Sequence, residues 1–204
     1  MTQVTLTPPP VHSTGPKPYR WTCAEFHDLC DRAWFRGRRV ILINGSILEM
    51  TQPGPPHNLC LGLVDDWLRV VFAADHHIRC QMALDIGVDN DPGPDLAAVA
   101  GSRWDLEDRQ ATTAVLVVEI ADSSLFLDTT TKAELYATAG VPEYWVFDLT
   151  GQRLLVFRDP VPLPNGLGAT AYRTHLTLGR GDTVSPLAAP AATVSIADLL
   201  PRQR

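Results

Sequence analysis

A single acidic residue stands inside the most apolar stretch of the chain. Glu119 lies in residues 113–120, where a run of branched side chains predicts a central strand buried on both faces. A carboxylate inside such a strand is costly unless it is paired with a cation or binds a metal. We therefore expect a functional role for Glu119. A salt bridge, or a strand that ends before Glu119, is the structural alternative.

A second acid and a basic residue flank this strand in sequence. Asp95 opens a short predicted strand, residues 95–100, after the turn cluster 89–94, where an aspartate alone would be ordinary turn chemistry. Together with Glu119 it can bring two carboxylates to one point, as Mg²⁺ prefers alongside water and phosphate oxygens. Lys132 follows in a predicted helix, where its ammonium can polarise a phosphate or help to deprotonate water. The alternative for Lys132 is a solvated helix lysine.

Helical and hairpin patterns organise the first half of the chain. Thr22 and Glu25 form a capping box, which predicts a helix over residues 23–34. Asn44-Gly45 is a turn signal between two apolar runs, so residues 38–50 are predicted to form a hairpin. Helical periodicity covers residues 57–74, and partial alternation predicts a strand over residues 78–88.

The second half combines strands with one helix. Asp128 is suited to N-cap a helix over residues 129–139, which Gly140 and Pro142 end. Residues 144–149 and 153–158 form a second predicted hairpin, followed by a strand over residues 172–178 and a short element over residues 194–200. This order predicts an α/β (α+β) fold in which helices flank a mixed sheet.

The length of 204 residues and the 45% hydrophobic content are ordinary for a globular protein. We predict one domain over residues 19–204 after a proline-rich, disordered N-terminal arm, residues 1–18. The N-terminus lacks a basic start followed by an apolar core, and no apolar run approaches the roughly 20 residues of a membrane span, so a cytoplasmic location is expected. The four cysteines form no CxxC pair and are expected to be small buried hydrophobes.

The net charge of −6 bears on the class of partner, because nucleic-acid-binding proteins usually carry a basic footprint. Arg36, Arg38 and Arg39 form the one local basic cluster and are candidates for contact with a nucleic-acid backbone, although a solvated loop explains them equally well. His57 follows Pro56 at a predicted helix start, where a substrate phosphate is favoured. A capping or surface histidine is the alternative for His57.

The order of several short motifs resembles one protein family over about residues 20–200. Each motif alone is weak, but the ordered set is similar to the Uma-two (Uma2) family of restriction endonuclease-like proteins, within the PD-(D/E)XK nuclease superfamily. The matching motifs are Pro94-Asp95, Val117-Val118-Glu119-Ile120, Asp128-x-x-x-Lys132-x-x-x-Tyr136 and the run GVPEYWVFD at residues 140–148, with the hairpin at residues 39–47 and Pro56-His57 upstream.

The resemblance implies a restriction-endonuclease-like fold and a site for Mg²⁺ or Mn²⁺ on Asp95 and Glu119. It implies DNA as the substrate and a homodimer, for which the apolar hairpin at residues 153–158 would supply an interface. The superfamily lysine normally lies two residues after the glutamate, where this chain has Ala121. The resemblance places its counterpart at Lys132, on the following helix.

The chain departs from the family pattern at two places. The family hairpin carries acidic residues where this chain has Ile41, Asn44 and Ser46, so one carboxylate is missing unless Glu49 replaces it. Asp122 stands where the family favours serine. Three hypotheses follow: a metal-dependent endonuclease on DNA, a catalytically degenerate protein that binds nucleic acid or another partner, and a nuclease on RNA.

Overall fold

The computed structural model describes residues 15–162 and 170–202. Most of the predicted arm, residues 1–18, lies outside these ranges, so its disorder and the boundary of the domain stay predictions. Residues 15–18 are exposed and belong to no helix or strand.

A six-stranded mixed sheet forms the centre of the fold, in the order β3-β4-β5-β6-β7-β8. The β5–β6 pair is parallel, and the other four neighbouring pairs are antiparallel. This mixed sheet with flanking helices confirms the predicted fold class. Its strands are β3 (His76–Cys80), β4 (Leu96–Ala100), β5 (Leu116–Ala121), β6 (Glu143–Asp148), β7 (Arg153–Pro162) and β8 (Thr170–Gly179).

The segments before the sheet are a helix, a hairpin and a long helix. The capping box of Thr22 and Glu25 is present at the start of α1, and Asn44 and Gly45 form the hairpin turn with φ of 48° and 69°. The capping box and the hairpin turn are therefore confirmed, but the helix predicted over residues 23–34 ends at Asp31. The elements are α1 (Cys23–Asp31), β1 (Arg39–Ile43), β2 (Ser46–Met50) and α2 (Pro55–Val71).

The crossover between the parallel strands β5 and β6 changes its helical type along its length. It consists of α3 (Leu125–Leu127), a π-helical turn (Asp128–Lys132) and α4 (Ala133–Thr138). A short 3₁₀ helix (Arg103–Leu106) precedes β5, and β9 (Thr183–Val184), β10 (Val194–Ser195) and α5 (Ile196–Leu199) close the described chain.

Strand β5 buries side chains on both faces of the sheet, as its sequence predicts. All six of its residues are buried. Because neighbouring side chains of a strand point to opposite faces, Val118 and Ile120 join the core under α2, whereas Val117 and Ala121 join the core under α4. Glu119 shares the α4 face, so its carboxylate lies inside the protein.

Two predictions about element boundaries are wrong. The strand predicted over residues 78–88 ends at Cys80, because Gln81 has a φ of +51° and turns the chain away from the sheet. Asp128 does not cap the crossover helix, because that helix already begins at Leu125 and Asp128 lies within it.

Most of the interface predicted for a homodimer is buried. The apolar side chains of Leu154, Val156 and Phe157 lie in the core, whereas Leu155 is half-buried. The homodimer and its interface stay predictions. In the part of the chain that the structure describes, no helix has both the length and the apolar character that a membrane span requires.

Gly45 is required by the turn that places β1 beside the sheet. A Cβ atom at Gly45 would lie 2.7 Å from Arg20 Cβ, and the φ of +69° disfavours other residues. We expect Gly45→Ala to lower the free energy of unfolding by more than about 1 kcal/mol. Gly62→Ala on α2, where a Cβ meets nothing within 4 Å, should instead raise it by about 0.5–1 kcal/mol. Urea denaturation of both variants measures the difference, and an equal effect of the two would contradict this account of the turn.

Candidate active site

A pocket of about 300 Å³ opens at the end of β5. The loop after the β1–β2 hairpin, the N-terminus of α2 and the loop after β5 form its rim, and a hydrogen bond of 2.9 Å joins Thr51 and Ser123 across two of these segments. The charged and imidazole side chains that line the pocket are Arg39, His57, Asp95, Glu119, Asp122 and Lys132.

Asp95 lies beside Glu119 because of the strand register. Leu96 pairs with Val118 in the antiparallel β4–β5 ladder, so the preceding residue, Asp95, faces Glu119. The backbone amide of Ile120 donates a 2.9 Å hydrogen bond to Asp95 Oδ2, which fixes the aspartate at the end of the neighbouring strand. Two acids 24 positions apart in sequence thus reach one pocket.

Side chains from three other segments hold the Asp95 carboxylate. His57 Nε2 lies 3.2 Å from Oδ2, Gln81 Nε2 donates to Oδ1 at 3.3 Å, and Arg39 lies 3.6 Å from Oδ1. Burial alone would raise the pKa of Asp95, but the contact with His57 and the hydrogen bonds from Ile120 and Gln81 outweigh it and lower the pKa below its usual value. Asp95 is therefore kept as a carboxylate.

Glu119 is held from the crossover helix. Lys132 Nζ lies 2.8 Å from Glu119 Oε1, and the Tyr136 hydroxyl donates to the same oxygen at 2.8 Å. Lys132 and Tyr136 are four residues apart, so the helix directs both side chains at Glu119. Glu119 is only 2% exposed and Lys132 only 3%, so the two residues form a buried ion pair.

Burial and neighbouring charges shift the pKa values of Glu119 and Lys132. Burial raises the pKa of Glu119 to about 8, Asp128 and Asp95 add to this rise, and Lys132 opposes it. Burial lowers the pKa of Lys132, but Glu119 and Asp128 raise it above its usual value. Lys132 is therefore retained as an ammonium.

Asp128 is a second buried partner of Lys132. Its Oδ1 lies 3.0 Å from Lys132 Nζ, and Ser124 Oγ donates to its Oδ2 at 2.5 Å. The Tyr144 hydroxyl donates to the backbone carbonyl of Asp128 at 2.9 Å. Asp128, Lys132 and Glu119 thus form one buried charge network that opens into the pocket through Glu119 and Lys132.

The structure brings most of the sequence candidates together. Asp95, Glu119, Lys132, His57 and Arg39 all line the pocket. Lys132 is not a solvated lysine, and Glu119 does form a salt bridge, so the structural alternative for Glu119 holds alongside its place in the pocket. Their chemical roles stay predictions.

Arg38 is separated from the site because alternate residues of a strand point to opposite sides. Arg39 and its partner Met50 line the pocket, whereas Arg38 is exposed and lies 3.7 Å from Glu49. Glu49 therefore does not replace the carboxylate that the family hairpin carries. The prediction that Arg38 contacts substrate receives no support from its position beside Glu49.

Of the other residues that depart from the family pattern, only Asp122 lines the pocket. Ile41 is buried in β1, Asn44 occupies the hairpin turn, and Ser46 is exposed, so none of them lines the pocket. Asp122 does line the pocket and is exposed, so it contributes an acidic group at the rim.

Sequence reasoning missed Asp128, Tyr136 and Gln81 as members of the site. The sequence predicts Asp128 as a helix cap, and Tyr136 enters only as the last residue of a family motif. The spacing of four residues from Asp128 to Lys132 and from Lys132 to Tyr136 is the signal that would have joined them on one helix face. Gln81 carries no comparable signal.

The donor set of the pocket fits a metal that needs few protein ligands. In residues 15–162 and 170–202, no group of three or more His, Cys, Asp or Glu side chains is arranged to hold a metal ion. Mg²⁺ is commonly bound through one or two carboxylates, with water and substrate phosphate as its other ligands. Asp95 and Glu119 provide two carboxyl groups in the pocket.

Comparison with known proteins identifies a family. The model of the Uma2 family, described as "Putative restriction endonuclease", matches residues 23–197. No curated protein matches the chain.

Two solved structures are similar to different degrees. A "putative nuclease belonging to DUF820" from Anabaena variabilis ATCC 29413 has a TM-score of 0.69 at 19% identity, covering 87% of this chain and 96% of that one. This likeness shows the fold. The type IIG restriction endonuclease BpuSI has a TM-score of 0.34 at 12% identity, covering 54% of this chain and 12% of that one, which is too distant to support a comparison.

The Tyr136 hydroxyl should stabilise the protein through Glu119. At pH 9, where the Glu119 carboxyl is ionised, we expect Tyr136→Phe to lower the free energy of unfolding by about 1.5–3 kcal/mol, as for hydrogen bonds to charged groups. Tyr172→Phe removes a hydroxyl that donates to the neutral Val141 carbonyl and should cost about 0.5–1.5 kcal/mol. Chemical denaturation compares the two. A Tyr136→Phe loss no larger than that of Tyr172→Phe would contradict a special role for the Glu119 contact.

Proposed function

The chain belongs to the Uma2 family of putative restriction endonucleases, and we propose that it is a metal-dependent endonuclease that hydrolyses DNA phosphodiester bonds. The observation that carries this proposal is the convergence of Asp95, Glu119 and Lys132 on one pocket. Two carboxylates beside an ammonium match the needs of phosphodiester hydrolysis, which requires an activated water and neutralisation of charge on the phosphate.

Asp95 and Glu119 are the proposed ligands of Mg²⁺ or Mn²⁺. When bound, the metal lowers the pKa of a coordinated water and neutralises charge on the phosphate. Asp95 is suited to this role because its lowered pKa keeps it ionised. Glu119 is suited because its carboxyl group lies in the same pocket, opposite Asp95 in the β4–β5 register.

Lys132 is the proposed cation that acts on the attacking water or on a phosphate oxygen. Its pKa is raised, so it acts as a charged donor and not as a base. Lys132 lines the pocket although the residue is only 3% exposed, so any contact with substrate is made inside the pocket.

His57 and Arg39 are the proposed contacts with the DNA phosphate. His57 is the third residue of α2, and its imidazole lies 3.2 Å from Asp95 in the pocket. The side chain of Arg39 is 29% exposed and lies at the pocket wall beside Asp95. Arg39 and Lys132 supply local positive charge, which opposes the repulsion of DNA by the net charge of −6 of the whole chain.

Cleavage assays test the catalytic proposal. We expect the purified protein to nick or cut double-stranded DNA with Mg²⁺ or Mn²⁺ and to lose this activity in EDTA. Glu119→Gln should reduce the rate at least about 100-fold, and Lys132→Met should reduce it by a similar order. Glu134→Gln, which removes an exposed acid from the same crossover helix, is the matched control and should keep the wild-type rate.

Matched RNA substrates decide between DNA and RNA, and no cleavage of either would refute the proposed activity.

The second candidate is a catalytically degenerate protein that binds nucleic acid or a partner. It is favoured by Ile41, Asn44 and Ser46, which replace the acidic residues of the family hairpin. Isothermal titration calorimetry separates the candidates. Binding of Mn²⁺ that weakens strongly in Asp95→Asn supports the endonuclease, whereas no binding of Mg²⁺ or Mn²⁺ supports the degenerate protein.

A further inference from the structure

Asp128 is a buried carboxylate whose two oxygens have different partners. It is 1% exposed, and Ser124 already satisfies its Oδ2. Its Oδ1 lies 3.0 Å from Lys132 Nζ, yet no donor among the described residues makes a well-directed hydrogen bond to that oxygen. Lys132 therefore lies between two carboxylates, with Glu119 at 2.8 Å and Asp128 at 3.0 Å.

We infer that Asp128 is a positioning residue that retains Lys132 at the site when Glu119 carries a divalent cation. This inference rests on the proposed function. Lys132 is paired with Glu119 in the metal-free site, and a divalent charge on that carboxylate repels the ammonium. With such a cation bound, the Lys132 ammonium would pair with Asp128 instead of Glu119. This contact would keep the ammonium charged and close to the pocket.

The charges of the site explain why a third carboxylate is needed. Lys132 lies 2.8 Å from Glu119, and Arg39 lies 3.6 Å from Asp95. A divalent cation would leave Lys132 as an uncompensated buried charge, which is strongly unfavourable. Asp128 supplies the compensating negative charge from outside the metal-binding pair.

The backbone holds Asp128 in a fixed position for this purpose. Residues Asp128–Lys132 form a π-helical turn, a rare geometry that is often found at functional sites. Ser124 fixes the side chain of Asp128, and the Tyr144 hydroxyl holds its carbonyl at 2.9 Å. Hydrogen bonds thus fix both the side chain and the backbone carbonyl of Asp128. The Lys132 ammonium, in contrast, lies within 3.0 Å of two carboxylates.

A double-mutant cycle on metal affinity tests the inference. Mn²⁺ binding is measured by calorimetry in the wild type, Asp128→Asn, Lys132→Met and the double variant. Lys132→Met should strengthen Mn²⁺ binding, because it removes a cation that competes for Glu119. Asp128→Asn should weaken binding at least about threefold more when Lys132 is present than when it is replaced. A purely electrostatic effect of Asp128 would weaken binding equally in both backgrounds and would overturn the inference.

Asp122→Asn is the matched control for the loss of one acidic charge. Asp122 lines the same pocket but makes no ion pair with Lys132 among those of the described chain. Its effect on Mn²⁺ affinity should be the same with and without Lys132. A coupling as large as that of Asp128 would overturn the specific role of Asp128.

Ser124→Ala tests the same contact without changing any charge, in case Asp128→Asn fails to fold. It frees the Asp128 carboxylate, so Mn²⁺ binding should weaken only when Lys132 is present. A loss that is independent of Lys132 would overturn the inference.

If the wild type binds Mn²⁺ and cuts DNA but shows no coupling, only this inference fails. If the wild type binds no Mn²⁺, the proposed metal-dependent function fails as well.

Discussion

The ion pair between Glu119 and Lys132 is the interaction on which the site depends. Strand β5 is covered on both faces, so its one acidic side chain is forced into the protein interior. Taking a carboxylate and an ammonium out of water is favourable only with close contact and further hydrogen bonds. Tyr136 and Asp128 provide those additional contacts, which ties the position of the crossover helix to the charge on the strand.

The topology of the sheet explains how the partners meet. Strands β5 and β6 are parallel, so the chain must cross over from one to the other, and here the crossover carries α3, the π-helical turn and α4 over one face. Lys132, which lies on this crossover, therefore contacts Glu119 of β5, the strand that precedes it. On the opposite side, the antiparallel β4–β5 register brings Asp95 to the same point, where Arg39 and His57 close the pocket.

The pocket combines a few acidic groups with a larger number of supporting contacts. The residues of the hairpin that would bear further acids in the family are Ile41, Asn44 and Ser46, and none lines the pocket. The carboxyl groups that line it are those of Asp95, Glu119 and Asp122. Hydrogen bonds and ion pairs hold the first two of these groups in place.

The sequence alone determined the elements and the core residues of the site. The capping box of α1, the Asn44-Gly45 turn and the buried strand around Glu119 are local patterns, because hydrogen bonding and side-chain periodicity act over a few neighbouring residues. The same patterns, in their order, identified the family. The tertiary structure decided which side chains meet: that His57 contacts Asp95, that Arg39 enters the pocket while Arg38 does not, and that Asp128 pairs with Lys132 instead of capping a helix. The placement of His57 and Arg39 depends on strand register and on packing between segments that are distant in sequence, which local spacing does not encode. The spacing of four residues between Asp128 and Lys132 is a local signal, but only the tertiary structure shows that both side chains are buried.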